Sequence, residues 1–147
     1  MSVAEFTIPF KLLRLGEEGV HILVKVALGR RRADMIIDTG ASQTVFDLTF
    51  IRNIYPEKVL KPLSRPSAGV GGGDIQGSMV VIPRMKVGGM VIASYCAAAI
   101  DFSHVNAYYQ SMGLGQIHGV LGGDLLLKTK ARIDYRTHEI IIQTPEV

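Results

Sequence analysis

Met35-Ile36-Ile37-Asp38-Thr39-Gly40-Ala41-Ser42 is the stretch on which the fold turns, an apolar run that stops abruptly on an aspartate, a threonine and a glycine. A short continuous apolar run bounded by a turn signal predicts a buried strand, and Gly40 permits the tight loop that ends it. Such a strand aims the Asp38 carboxylate out of a rigid edge. Thr39 offers an orienting hydroxyl and Ala41 keeps the floor of the loop small. Taken alone, the tripeptide is open to two readings: a chemical one, and one in which Asp38 merely begins a loop, as aspartate often does after a strand.

Outward from this point the chain reads as β structure. Phe6, Ile8, Phe10 and Leu12 alternate with polar or edge-compatible residues, and Ile22, Val24, Val26 and Leu28 do so again, which predicts two half-buried strands. The basic run Arg30-Arg31-Arg32 follows Gly29 where a solvated hairpin turn belongs. Residues 43 to 55 are compatible with a short strand and a turn or helical stretch, and Pro56, Pro62 and Pro66 mark a surface connection. Glycines 69, 71, 72, 73 and 77, flanked by apolar residues, predict a mobile hairpin over Ser67 to Ile82. Met85 to Val87 and Met90 to Ile100 read as strands split by Gly88-Gly89. Ser103 is placed to cap a short helix to about Gln110. Ile117 to Leu121 reads as a strand, Gly122 to Lys128 as a turn into a short helix, and Ala131 to Ile142 as a hairpin through Tyr135 to His138. The expected class is all-β, a closed barrel with one or two short helices.

Bulk properties narrow the function classes. The 147 residues suit one domain, 1–147, with a real core, and 48% hydrophobic against 20% charged residues describes an ordered globular chain. A net charge of +3 with one short basic run argues against nucleic acid as a partner. Cys96 is the single cysteine, so no intrachain disulfide is available; within the apolar stretch Tyr95 to Ile100 it reads as a buried thiol. Glu5, Lys11 and Arg14 interrupt every candidate secretory signal, and the smooth apolar stretch Met90 to Ile100 is far shorter than the roughly 20 residues of a membrane helix. The expectation is a soluble cytoplasmic protein without a membrane partner.

The chemistry that fits Asp38 is hydrolysis of a peptide bond without metal or covalent intermediate. One carboxylate takes a proton from water while a second carboxylic acid protonates the scissile carbonyl oxygen. Two carboxyls about 3 Å apart share one proton because like charges cannot both ionise. A second element strengthens this reading: Ile117-His118-Gly119-Val120-Leu121-Gly122-Gly123-Asp124-Leu125-Leu126, followed by Ala131-Arg132-Ile133-Asp134-Tyr135 and Glu139 to Ile142. With both elements, roughly from Phe6 to Ile142, the chain resembles the retropepsin-like aspartic peptidases. It is more similar to their cellular and bacterial members than to the viral ones, given Asp124 and the Ile-Asp-Tyr that follows.

The resemblance implies a closed barrel of that acid-protease type. It implies Asp38 as the catalytic aspartate, Thr39 as the residue whose hydroxyl bonds across a two-fold axis, and Gly40 as the turn glycine. Ala41 and Ser42 would line the base of the site. The hairpin from Ala68, with Gly69, Val70, Gly71, Gly72 and Gly73, would be a flap closing over an extended peptide, and Val120-Leu121-Gly122 would pack under the active loop. Two departures stand out. Ser42 and Gly123 occupy the positions where viral enzymes often carry an acidic and a basic residue, so that buttressing ion pair is missing, and the flap lacks an aromatic.

The second carboxylate follows from a count. Asp34, Asp47, Asp74, Asp101, Asp124 and Asp134 are none of them followed by Thr-Gly or Ser-Gly. One chain holds half a site, and an isologous homodimer supplies the other half. Rival motifs fail: glycines 69 to 77 fit neither a dinucleotide fingerprint nor a phosphate loop, Ser42 and Ser78 lie in no nucleophile elbow, and His21, His104, His118 and His138 have no metal-ligand spacing. No metal and no cofactor is expected. The alternatives are a catalytically idle dimer that holds extended peptides, and a structural barrel in which Asp38 begins a loop; a binder has no reason to keep two repelling carboxylates.

Overall fold

Pro9 divides the first apolar stretch in two. In the computed structural model, which describes residues 3–17, 19–56, 61–62, 67–68, 74–75 and 77–145, strands β1 (Glu5–Pro9) and β2 (Lys11–Arg14) join different sheets. Ile8 and Phe10 are buried in phase, but burial then shifts to Leu13 and Leu15. The expected alternation through Leu12 breaks because β2 is covered on both faces, Leu12 packing on the main core and Leu13 in a second cluster. Strands β3 (Val20–Leu28) and β4 (Arg31–Ile37) form an antiparallel hairpin paired from Ile22↔Ile37 to Leu28↔Arg31. Its turn is Gly29-Arg30 with Gly29 at φ 62°, so the basic run lies on a solvated corner as read from the sequence.

The ambiguous stretch after Asp38 resolves into β5 (Val45–Asp47) and α1 (Leu48–Ile54). Short strands β6 (Lys61–Pro62), β7 (Ser67–Ala68) and β8 (Asp74–Ile75) follow, then the long hairpin β9 (Ser78–Val87) and β10 (Met90–Ile100). Beyond it come α2 (Ser103–Ser111), β11 (Gly119–Leu121), α3 (Gly123–Lys128), β12 (Arg132–Asp134) and β13 (Glu139–Gln143). Among the described residues three short helices are present where one or two were expected, α1 falling in the stretch left open as a turn or helix. Phe102, not Ser103, is the N-cap of α2; the Ser103 amide and hydroxyl both donate to the Asp101 carboxylate at 2.9 Å. β9 starts at Ser78 and passes through Pro83, which removes one ladder donor, and the facing Ser94 is at φ 53°. That proline is why the sequence reads as two separate runs.

Strands β3, β4, β11, β5, β10 and β9 follow one another in hydrogen-bonded order, and β9 returns to β3 from Val26↔Val87 to Leu28↔Met85. The result is a closed six-stranded barrel, as expected, with β2 and β6 as flanks and β1-β13-β12 as a separate sheet. Val24, Val26, Leu28, Met35, Phe46, Ile82 and Met85 fill the barrel. A second cluster of Leu13, Leu15, Ile36, Phe102, Tyr109 and Ile117 lies where α2 is packed. The continuous run Met35-Ile36-Ile37 therefore has a covered surface on each side: Met35 and Ile37 face the main core, Ile36 the second. Cys96 corrects the sequence reading. It is exposed, because β10 alternates there and buries Tyr95 and Ala97 instead. Among the described residues no helix is long and apolar enough to cross a membrane.

Candidate active site

β11 is the element that shapes the Asp38 loop. It sits between β4 and β5, parallel to the first (Gly119↔Met35 to Leu121↔Ile37) and antiparallel to the second (Gly119↔Phe46, Val120↔Val45). The Asp38 amide donates to Leu121 O at 3.0 Å, the Ala41 amide to Asp38 O at 3.2 Å, and the Gly123 amide to Ala41 O at 2.7 Å. The Gly40 amide donates to Asp38 Oδ1 at 2.9 Å, which orients the carboxylate against its own loop. Asp38, Thr39, Gly40 and Ser42 are exposed, Ala41 and Val120 are half-buried, and Leu121 is buried. A Cβ on Gly122 would come within 2.7 Å of the Gln43 carbonyl and 2.8 Å of Ala41 O, so only glycine allows the two loops to approach this closely.

Beneath the loop lies a polar network that the sequence reading missed. Thr44, fully buried, accepts from the Gly122 amide at 3.1 Å and donates from Oγ1 to Asp124 Oδ1 at 2.8 Å. The Tyr95 hydroxyl donates to Asp124 Oδ2 at 2.5 Å. Burial first, and then this bond to the carboxylate, push the Tyr95 phenol far above its usual range, so it stays a donor. Lys128 Nζ lies 5.6 Å from the centre of the Tyr95 ring. A hydroxyl–carboxylate network thus ties Thr44, Gly122, Asp124 and Tyr95 together beneath the loop. Asp124 at the start of α3 was its visible signal.

Two histidines are held at the strands that carry the loop, His118 beside Asp34 and His21 next to the β3–β4 end at Ile37. His118 Nδ1 accepts from the Asp34 amide at 2.9 Å and its own amide donates to Asp34 O at 2.8 Å, while its ring stacks on Phe50 at 4.2 Å. Burial holds its pKa below the usual histidine value, against the opposing charges of Asp34 and Asp47. His21 Nδ1 lies 2.5 Å from the Tyr109 hydroxyl. The Tyr109 phenol is pushed up by burial, with smaller contributions from Tyr108 and from the charge of Asp38.

Within the segment expected to form a flap, the described residues pair as Ser67↔Ile75 and Ala68↔Asp74, so Ala68 lies in β7. Gly69, Val70, Gly71, Gly72 and Gly73 fall outside the described residues. Among the described residues no group of three or more His, Cys, Asp or Glu is arranged to hold a metal. What the arrangement offers chemically is an exposed, backbone-oriented carboxylate on a loop braced from below.

Comparison with known proteins agrees with this geometry. The chain is similar over 97% of its length, and 92% of the other chain, to a retropepsin-like aspartic protease from Rickettsia conorii, with 16% identity and a TM-score of 0.58. It is similar over 86% of its length, and 95% of the other chain, to the retroviral protease-like domain of Ddi1 from Leishmania major, with 13% identity and a TM-score of 0.57. At such identities the likeness speaks for the fold. No curated protein matches. The family described as aspartyl protease matches residues 24–125, more than half of the chain and a span that contains both the Asp38 loop and β11, and the protein therefore belongs to the aspartyl protease family in its retropepsin-like form.

Proposed function

We propose that the protein is an aspartic endopeptidase, a single domain that works as a homodimer in which two Asp38 carboxylates activate one water. The observation that carries this reading is the Asp38 loop itself: an exposed carboxylate with one oxygen bonded by the Gly40 amide, on a loop tied to β11. An exposed charge needs no such bracing for stability. A reacting group does, because misplacement by an ångström costs rate.

In the dimer the two carboxyls share one proton. The ionised one takes a proton from water as the water oxygen bonds to the carbonyl carbon, and the protonated one gives its proton to the carbonyl oxygen. The resulting gem-diol then collapses with cleavage of the C–N bond and protonation of the leaving nitrogen. Thr39 braces the paired loops, Ala41, Ser42, Val120 and Leu121 line the site, and the β7–β8 ladder belongs to a flap over a peptide bound as an added strand.

The test is Asp38→Asn, which keeps the shape and loses the shared proton. Cleavage of a peptide library by the wild type across several pH values, and its fall by at least about a thousandfold in a folded Asp38→Asn protein, is the expected result. Retained cleavage in the purified variant would remove Asp38 from the mechanism. Binding of peptides without any cleavage by the wild type would favour an idle peptide-holding dimer.

A further inference from the structure

The β3–β4 ladder ends at Ile22↔Ile37, both buried in the barrel, and the next residues outward along the two strands are His21 and Asp38. Facing residues of an antiparallel pair project from the same side of the sheet, and two residues further in, Leu23 and Ile36 meet the second cluster. His21 and Asp38 therefore share that outer side. Helix α2 brings the Tyr109 hydroxyl to 2.5 Å from His21 Nδ1. Tyr109 is 4% exposed, while His21 is only half-buried, so the tyrosine backs the histidine and the histidine meets solvent beside Asp38. Among the described residues nothing else hydrogen-bonds the imidazole. With the Tyr109 hydroxyl assigned as the donor to Nδ1, the ring proton lies on Nε2 and that nitrogen is a donor.

We propose that His21, held by Tyr109, is a specificity-determining residue whose Nε2–H bonds an acceptor on the substrate side chain next to the scissile bond. The inference rests on peptide hydrolysis at Asp38. The negative charge of Asp38 on the same side makes a neutral carboxamide a better partner than a carboxylate, so asparagine is favoured over leucine, its near match in size. A leucine would leave the Nε2 donor half-buried and unpaired, and sites built around a hydrogen bond reject analogues that lack its partner.

The experiment takes a peptide that the wild type cleaves and places Asn or Leu in turn at each residue flanking the scissile bond. At one of the two positions the wild type is expected to favour Asn in kcat/KM by at least about 10-fold. His21→Leu should bring that ratio close to one, His21→Gln should restore most of it by returning an N–H donor, and Tyr109→Phe should lower it by releasing the ring. A purely structural role for His21 would lower cleavage of both peptides in parallel and leave the ratio unmoved, which overturns the inference. Equal cleavage of both peptides by the wild type overturns it as well while leaving hydrolysis at Asp38 intact. A folded wild type that cleaves no peptide overturns the hydrolytic reading, and this one with it.

Discussion

Protonating His118 would set its ring against a bond it already makes, because Nδ1 accepts from the Asp34 amide. Its folded pKa lies below the ordinary 6.5 through burial, so below that pH the unfolded chain binds the proton more readily than the folded one. Stability from this group is fully present above pH 6.5 and is lost as pH falls towards the folded value. Calorimetry from pH 7.5 to 5 should show a decline in Tm that is shallower in His118→Asn, whose carbonyl can still accept from Asp34; equal slopes would absolve His118. An aspartyl dyad acting in mild acid would work where this residue weakens its own scaffold. A second expectation concerns Thr44, which joins the Gly122 amide to Asp124. Thr44→Val leaves two buried partners short and should cost about 2–4 kcal/mol in urea unfolding, against about 1–2 kcal/mol for Tyr95→Phe. Comparable losses would mean that the two hydroxyls are not nested as drawn. Asp38 was legible from its neighbours because Thr39 and Gly40 adjoin it. Thr44 and Tyr95 were not, and Asp124 stood out without its partners, since the network is a meeting of three distant segments.

Elements were legible where one face is buried and the other wet. β3 alternates cleanly and was read correctly, and the glycine turns at 29 and 88–89 mark their hairpins at positive φ. β2 escaped because both its faces are covered and β9 because Pro83 interrupts it, while α1 stayed open as a turn or helix because seven residues are too few to display helical spacing. The exposed thiol of Cys96 was hidden for a related reason: β10 is apolar at nearly every position, so composition alone does not say which side faces in. The β7–β8 ladder carries its own expectation. If it supports a flap, amide exchange over 67–77 should slow on binding a transition-state peptide isostere, and the same peptide should leave exchange in β3 unchanged. Exchange over 67–77 that ignores the inhibitor would argue against a flap.

For the whole molecule, the closed barrel was legible from two motifs in order, whereas assembly rests on there being one Asp-Thr-Gly per chain. If each site is shared, specific activity should fall on dilution below the dimer dissociation constant, and a tethered pair should be immune because the link raises effective concentration. Asp38→Asn in one half of the tethered protein should then abolish nearly all activity; half the activity would mean that each chain works alone. The seating of β11 between β4 and β5 has a further consequence for how the molecule comes into being. Pairings so remote in sequence form slowly, since a long loop must be closed before they stabilise anything. Asp38 leaves the ribosome well before Leu121, Gly123 and Asp124, which brace its loop. A nascent chain therefore carries its aspartate unbraced, and topology withholds a braced Asp38 until the segment through Asp124 has been made.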